Sequence, residues 1–152
     1  MLAAAEYHLR RESYLSGYTV LRELLVSLLG ARLAQIGVAV ADRRALDHAF
    51  GSILGRRRDD DPERPGPEAA TKALDLTPYA DAAWLRALRA AAQPGAQRRN
   101  VFLHAHTGPN APATGATYGS DAEQHLDLVR EALHTPVDLA HRDAAVGAAA
   151  AD

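Results

Sequence analysis

The sequence predicts an all-α fold, a bundle of about five to seven helices with long loops, on the basis of three observations. Apolar residues recur at steps of three and four along most of the chain, which is the period of an amphipathic helix. Alanine and aliphatic residues are abundant, while aromatic residues make up only 5% of the chain. No segment alternates apolar and polar residues as a half-buried strand does. A length of 152 residues is typical of one domain, so residues 1–152 are predicted to fold as a single unit.

Charge and composition exclude several classes of protein. The formal net charge of −2 argues against a large non-specific nucleic-acid surface, although arginine supplies all the positive charge except that of Lys72. The absence of cysteine excludes disulfides, cysteine–zinc sites and cysteine nucleophiles. The opening Met1 to Ala5 is followed by Glu6, so no signal peptide is visible, and charged residues interrupt the most apolar run, 18–40. We therefore expect a cytoplasmic protein that does not cross a membrane.

Two helices are predicted at the start of the chain, over residues 2–12 and 13–36. The second has an apolar stripe at steps of four and three, broadened by further leucines: Tyr14, Tyr18, Leu21, Leu25 and Leu28, with Leu24, Leu29, Leu33 and Ile36 beside them. A stripe this broad is expected to contact more than one neighbour, a second subunit among them. Gly37 is the predicted end of this helix.

A third helix is predicted over residues 42–54, with Asp42 as its N-cap. Its apolar face comprises Leu46, Ala49, Phe50 and Ile53. Three prolines, two glycines and dense charge follow in residues 55–67, so a flexible loop is predicted there, over 56–67 in particular. A short helix over 68–76 is expected next.

The next helix is predicted over residues 77–92, because Thr77–Pro78 places an N-cap before a proline at the first helical position. Its predicted inward residues are Ala80, Ala83, Trp84, Ala87 and Leu88. Pro94–Gly95 is predicted to break this helix.

The end of the chain contains a loop, two helices and a tail in this prediction. Residues 107–119 have neither a helical nor a strand pattern and are predicted to be a loop. Ser120 and Glu123 have the spacing of a capping box, which predicts a helix with Leu126, Val129 and Leu133 on its apolar face. Thr135–Pro136 predicts a final short helix through Leu139, and the Ala-rich residues 143–152 are expected to be frayed.

The stretch from Arg98 to His106 contains the residues best suited to chemistry. It holds two guanidinium groups, an amide and two imidazoles within nine residues. Histidine can act as base or acid near neutral pH, and arginine stays charged and forks onto phosphate oxygens. If the stretch begins a helix, Asn100 and His104 share one face, while Arg99 and His104 lie about 140° apart. Two copies related by a two-fold axis would bring both Arg–His pairs into one cleft.

The segment from Arg99 to His104, with the sequence RNVFLH, resembles the R-N-x-x-x-H form of the R-x(4–6)-H motif of HEPN domains. Its late position in a helical chain is also similar to that family, as is the opening from Ala4 through Tyr18 and Leu25. The resemblance covers about residues 2–142, and only the six-residue motif is specific.

The resemblance implies a metal-independent endoribonuclease that forms a homodimer with a composite Arg/His site. RNA is the implied substrate, in a toxin–antitoxin or anti-phage defence system, with a cognate antitoxin or a nucleotidyltransferase-type protein as a further partner. It implies that Arg99 and His104 are catalytic, with Asn100 as the polar residue that follows the arginine and orients the phosphate or the imidazole. Arg98 and His106 are the weaker candidates for contact with RNA. No cofactor and no metal ion are expected.

Other interpretations stay open. His104 and His106 form a His-x-His pair that occurs in metal sites, but no carboxylate flanks it and spacing does not identify a third ligand. A second R-x4-H, from Arg43 to His48, is predicted to be helix surface. An inactive helical module that binds nucleotides or a partner protein is the main alternative to the enzyme. The remaining histidines are predicted to be surface or boundary residues: His8, His48, His125, His134 and His141.

Overall fold

The computed structural model describes residues 1–54, 74, 76–104 and 115–138, with the backbone alone for 97–104 and 115–119. Within these ranges the chain is all-α and contains no strand. Its elements are α1 (Leu2–Arg10), α2 (Tyr14–Gln35), α3 (Arg43–Ile53), a 3₁₀ turn (Thr77–Tyr79), α4 (Ala83–His104) and α5 (Gly115–His134). No described helix combines the length and the apolar character needed to span a bilayer.

Helix α2 lies at the centre of the bundle and packs against α1, α3, α4 and α5. Seven of its residues are buried: Gly17, Tyr18, Leu21, Leu25, Val26, Leu29 and Leu33. The predicted stripe is therefore largely confirmed, with Leu24 and Leu28 half-buried at its edge. Its breadth is explained by four neighbours in the same chain, so the stripe is not in itself evidence for a second subunit.

The end of α2 is made by local hydrogen bonds around Gly37, as predicted. Gly37 has a φ of +79°, a conformation that residues with a side chain rarely adopt. Its N–H donates to the carbonyl of Ala34, and the N–H of Val38 donates to the carbonyl of Leu33. This pair of bonds is the Schellman arrangement, which satisfies carbonyls that the helix itself leaves open.

Helix α3 begins as the sequence predicts, because the carboxylate of Asp42 accepts a hydrogen bond from the N–H of Ala45 at 2.8 Å. The face predicted to be apolar is buried along its whole length: Leu46, Ala49, Phe50 and Ile53. On the outer side, Arg22 of α2 forms an ion pair with Asp47 of α3, and Glu23 of α2 forms one with Arg43 of α3. Pairs within each helix, Arg22–Glu23 and Arg43–Asp47, complete the group. Burial raises the pKa of Asp47, but hydrogen bonds and charge from Arg22 and Arg43 outweigh it and lower that pKa overall.

The prediction of a helix over 77–92 is wrong at both ends. Residues 77–79 form only a 3₁₀ turn, and α4 begins at Ala83. It then continues through Pro94 and Gly95 to His104, where a break was expected. The later start changes which residues face inward: Ala80 and Ala83 are exposed, whereas Trp84, Leu85, Leu88, Ala91 and Ala92 are buried.

Helix α5 begins at Gly115, so the predicted loop over 107–119 is wrong for 115–119, and Ser120 lies inside the helix. The helix ends at His134, and residues 135–138 are not helical, which contradicts the final short helix. An arginine from α2 stabilises this end, because Arg32 donates to the carbonyl of Leu133 at 3.0 Å. The described face of α5 is buried at Leu126 and Val129 and half-buried at Leu133.

Several predicted segments lie outside the described residues: the loop 56–67, most of the helix 68–76, residues 107–114, and the tail 143–152. Leu74 and Leu76, which are described, are not helical. The rest of the prediction for these segments stays a prediction.

Candidate functional site

The motif predicted from the sequence forms the last two turns of α4. The backbone is helical from Arg98 through Arg99 and Asn100 to His104, so the stretch ends a helix instead of beginning one. The side chains of these residues, and all of His106, lie outside the described part of the chain. What the structure adds is the register of the backbone that carries them.

That register separates the two principal candidates. On a helix with 3.6 residues per turn, Asn100 and His104 occupy one face, and Arg99 lies about 140° around the axis from His104. Arg98 lies about 100° from Arg99 and about 120° from His104 around the axis. A straight α4 therefore does not place Arg99 and His104 on the same side, and the separation expected from the sequence applies to the helix as it stands.

The first half of α4 anchors the motif to the bundle. This half packs between α2 and α5, with Trp84, Leu85, Leu88 and Ala91 among its buried residues. Pro94 and Gly95, which come next, are half-buried. The position of the last two turns therefore depends on the contacts that determine the direction of α4 beyond Ala92.

One buried polar side chain touches α4 at that point, although the sequence predicted it to be a surface or boundary residue. His125 of α5 is 1% exposed and is the only charged or polar residue in the core of the described chain. Its Nε2 lies 2.6 Å from the carbonyl oxygen of Ala91. Its ring stacks on Tyr18 of α2, with centroids 5.4 Å apart and planes at 22°. His125 therefore connects three helices.

Gly95 makes this contact sterically feasible. A Cβ at position 95 would lie 2.8 Å from Cε1 of His125, closer than real Cβ atoms approach. The imidazole is buried, stacked and hydrogen-bonded, so it has little room to move away. The glycine after Pro94 is thus required by the close approach of α5, while its backbone remains helical.

The protonation state of His125 follows from its surroundings. A carbonyl oxygen can only accept, so Nε2 carries the hydrogen and donates it to Ala91. Burial lowers the pKa of His125 below its ordinary value of 6.5, and the bond to Ala91 only partly opposes this. The ring is therefore neutral near pH 7, and among the described residues its buried Nδ1 has no hydrogen-bond partner.

A signal for the burial of His125 was present in the sequence. Ala122, Leu126, Val129 and Ala132 recur at steps of four and three and are all buried. His125 falls three residues after Ala122 and four before Val129, so it lies on that same stripe. Its residue type, not its position, led to the wrong prediction.

The other histidines agree better with the sequence prediction. His48 and His134 are exposed and His8 is half-buried, while His141 lies outside the described residues. The second R-x4-H is confirmed as helix surface, since Arg43 and His48 are both exposed. Among the described residues, no three His, Asp or Glu side chains are grouped so that they could hold a metal ion, and that set does not include His104 or His106.

Comparison with known proteins adds nothing to this geometry. No family model, no curated protein and no solved structure matches the chain. The resemblance to HEPN domains therefore depends on the RNVFLH segment and its place in an all-α chain.

Proposed function

We propose that the protein is a metal-independent endoribonuclease of the HEPN type, with Arg99 and His104 as its catalytic residues. The observation that carries the proposal is the R-N-x-x-x-H segment in the last two turns of α4, a helix anchored between α2 and α5. Phosphodiester cleavage without a metal needs a base, an acid and positive charge, and histidine and arginine can supply these groups. The all-α architecture is compatible with this family.

The proposed reaction is an internal displacement at phosphorus. A base removes the proton of the 2′-hydroxyl, and the 2′-oxygen forms a bond to phosphorus. The bond from phosphorus to the 5′-oxygen breaks, and an acid gives this oxygen a proton. The products are a 2′,3′-cyclic phosphate and a 5′-hydroxyl. Arg99 would stabilise the charge on the phosphoryl oxygens, and Asn100 would orient the phosphate or the imidazole.

The helical register supports a site built from two copies. Arg99 and His104 lie about 140° apart on α4, so one copy does not direct both to the same point. The reaction also needs both a base and an acid, whereas one motif supplies a single His104. A two-fold axis beside the end of α4 would supply two Arg99 and two His104 side chains to one cleft. RNA would bind in that cleft, with Arg98 and His106 as further contacts.

The test is RNA cleavage in EDTA by the wild type, Arg99→Lys and His104→Ala, with whole tRNA and single-stranded RNA as substrates. We expect His104→Ala to lose about a hundredfold or more in rate, because general acid–base catalysis contributes that much. Arg99→Lys should fall between the two, since lysine keeps the charge but not the fork. The products should carry a cyclic phosphate and a 5′-hydroxyl.

The second R-x4-H provides a matched control, because His48 is exposed and has the same spacing from an arginine. His48→Ala should cleave at the wild-type rate. Circular dichroism and sedimentation would show that each variant is folded and of unchanged oligomeric state. Cleavage that persists in His104→Ala would overturn the proposed role. A folded wild type that cleaves none of these RNAs would favour the inactive nucleotide- or partner-binding module.

A further inference from the structure

We infer that His125 is a positioning residue that fixes the direction of the last two turns of α4, and with them the motif from Arg98 to His104. The inference rests on three observations: the bond from His125 to Ala91, the missing Cβ of Gly95 and the proline between them. Its functional consequence rests on the function proposed above. Its structural content does not, since the direction of α4 can be measured without RNA.

The helix is weakest where His125 contacts it. Pro94 has no N–H, so the carbonyl of Ala90 receives no bond from position 94, and a proline ring crowds the turn before it. Glycine at position 95 further lowers the helical preference of this turn. Prolines inside helices are the commonest sites of bending. The helix alone therefore holds the two halves of α4 in line less firmly here than elsewhere.

The contact made by His125 adds a hydrogen bond between helices next to the one that the proline removes, since Ala91 follows the residue whose carbonyl Pro94 leaves open. Its N–H donates to Ala91, in the turn that Pro94 interrupts, and its ring fills the space beside Gly95. Tyr18 stacks on the other side, so the ring is held between α2 and α4. A hydrogen bond from α5, made where the hydrogen bonding within α4 is interrupted, fixes a direction of α4 that its own bonds leave free.

Packing alone does not explain a histidine at position 125. Among the described residues, the buried Nδ1 of His125 has no hydrogen-bond partner, and an unsatisfied polar atom is costly in an apolar interior. A leucine at this position would fill the core without that cost. What a leucine would lack is the N–H that reaches Ala91. Among the described residues, the hydrogen bond to α4 is thus the contribution that requires the imidazole.

The motif is close enough for a change of direction to matter. Arg99 is four residues beyond Gly95 and His104 is nine, which correspond to about 6 Å and about 13 Å along the axis. A bend of 20° at Gly95 would move the backbone by about 2 Å at Arg99 and about 5 Å at His104. Misplacement of a reacting group by about 1 Å can lower a rate a hundredfold. His125 would therefore act on catalysis through the position of His104.

The experiment is amide hydrogen exchange along α4 in the wild type, His125→Leu and His125→Gln. Leucine fills the volume without a donor, whereas glutamine can donate an amide N–H to Ala91. We expect exchange at 97–104 to rise by about tenfold or more in His125→Leu, well above the rise at 86–92. His125→Gln should restore part of the protection. His134→Gln, on the exposed face of the same helix, should match the wild type.

A double mutant separates positioning from ordinary core packing. Pro94→Ala returns the missing N–H to α4, so His125→Leu should have a much smaller effect at 97–104 in that background. An equal rise at 86–92 and 97–104, or an effect unchanged by Pro94→Ala, would overturn the inference. If His125→Leu does not fold, Gly95→Ala makes the same test by displacing the ring, with Gly51→Ala as its control.

Cleavage assays on the same variants connect the structure to the function. We expect His125→Leu to lower kcat by about tenfold or more while it remains folded, with part of the rate restored in His125→Gln. If the wild type cleaves no RNA, the proposed ribonuclease fails, and hydrogen exchange still decides the role of His125. If exchange changes as expected but kcat does not, His125 positions α4 without serving the motif, and the functional part of the inference is overturned.

Discussion

Two helix-breaking signals in this chain have opposite outcomes. Gly37 ends α2, as its sequence context predicts, whereas Pro94–Gly95 lies inside α4 and does not end it. At Gly37 the bonds that close the helix are local, from Gly37 and Val38 to carbonyls in the last turn. At Pro94–Gly95 the decisive partner is His125, thirty residues later in the chain from Gly95. Local signals are reliable where local groups complete the backbone bonds, and fail where contacts with a distant element determine the path of the helix.

The largest expected effect on stability comes from Gly→Ala at position 95, which can be compared with the same change at Gly51, a second helical glycine. Gly95→Ala places a Cβ 2.8 Å from the buried ring of His125, whereas a Cβ at Gly51 meets no atom of the described residues within 4 Å beyond its chain neighbours and its own helix backbone. Overpacking should lower the free energy of unfolding of Gly95→Ala by about 2 kcal/mol. Gly51→Ala should raise it by about 0.5 kcal/mol, because alanine is the better helix former. Urea denaturation of both variants measures the gap.

A stabilised Gly95→Ala would contradict the close packing of His125 against α4. The comparison with Gly51→Ala removes the general gain that any helical Gly→Ala change brings. The two variants should therefore move in opposite directions, and equal stabilisation of both would show that the contact carries no strain.

The next effect tests the local end of α2. Gly37→Ala forces a side chain into a φ of +79° and should lower the free energy of unfolding by about 1 kcal/mol. Among the described residues, no heavy atom outside Gly37 and its chain neighbours lies within 4 Å of the added Cβ, so the loss would be conformational and not steric. Gly37→Asn should lose less than Gly37→Ala, since asparagine tolerates this region better. Equal losses in the two variants would count against a conformational origin.

The extent of sequence prediction follows the same division between local and distant partners. Periodicity and short-range hydrogen bonds were enough to predict the stripe of α2, the cap at Asp42 and the buried face of α3. The start of α4 was not predicted, because it depends on tertiary burial of Trp84 and Leu85, which the local Thr77–Pro78 signal does not report. Ser120 has the spacing of a capping box, yet its helix has already begun at Gly115.

The candidate site divides similarly. Arg99, Asn100 and His104 were identified as a motif by residue type and spacing, and their helical register was anticipated from the same residues. His125 was missed, because a histidine on an apolar stripe is ordinarily assigned to a boundary, and its partner Ala91 has no distinguishing side chain. A backbone carbonyl on a neighbouring helix leaves no mark in the sequence at the position of the residue that donates to it.

The smallest expected effect is the pH dependence that His125 gives to folding. Burial lowers the pKa of His125 in the folded chain below the ordinary value of 6.5, and the hydrogen bond to Ala91 only partly opposes this. As the pH falls below about 7.5, the unfolded chain gains a proton that the folded chain does not, so stability declines with falling pH. A single such group contributes at most about 0.8 kcal/mol between pH 7.5 and pH 6.

The measurement is the free energy of unfolding of the wild type and of His125→Gln at both pH values. All other residues are the same in both proteins, so the difference isolates His125, and the wild type should lose more stability than the variant. Equal losses would mean that the imidazole is hydrated enough to accept a proton in place, and would remove the basis for treating it as a neutral donor to Ala91.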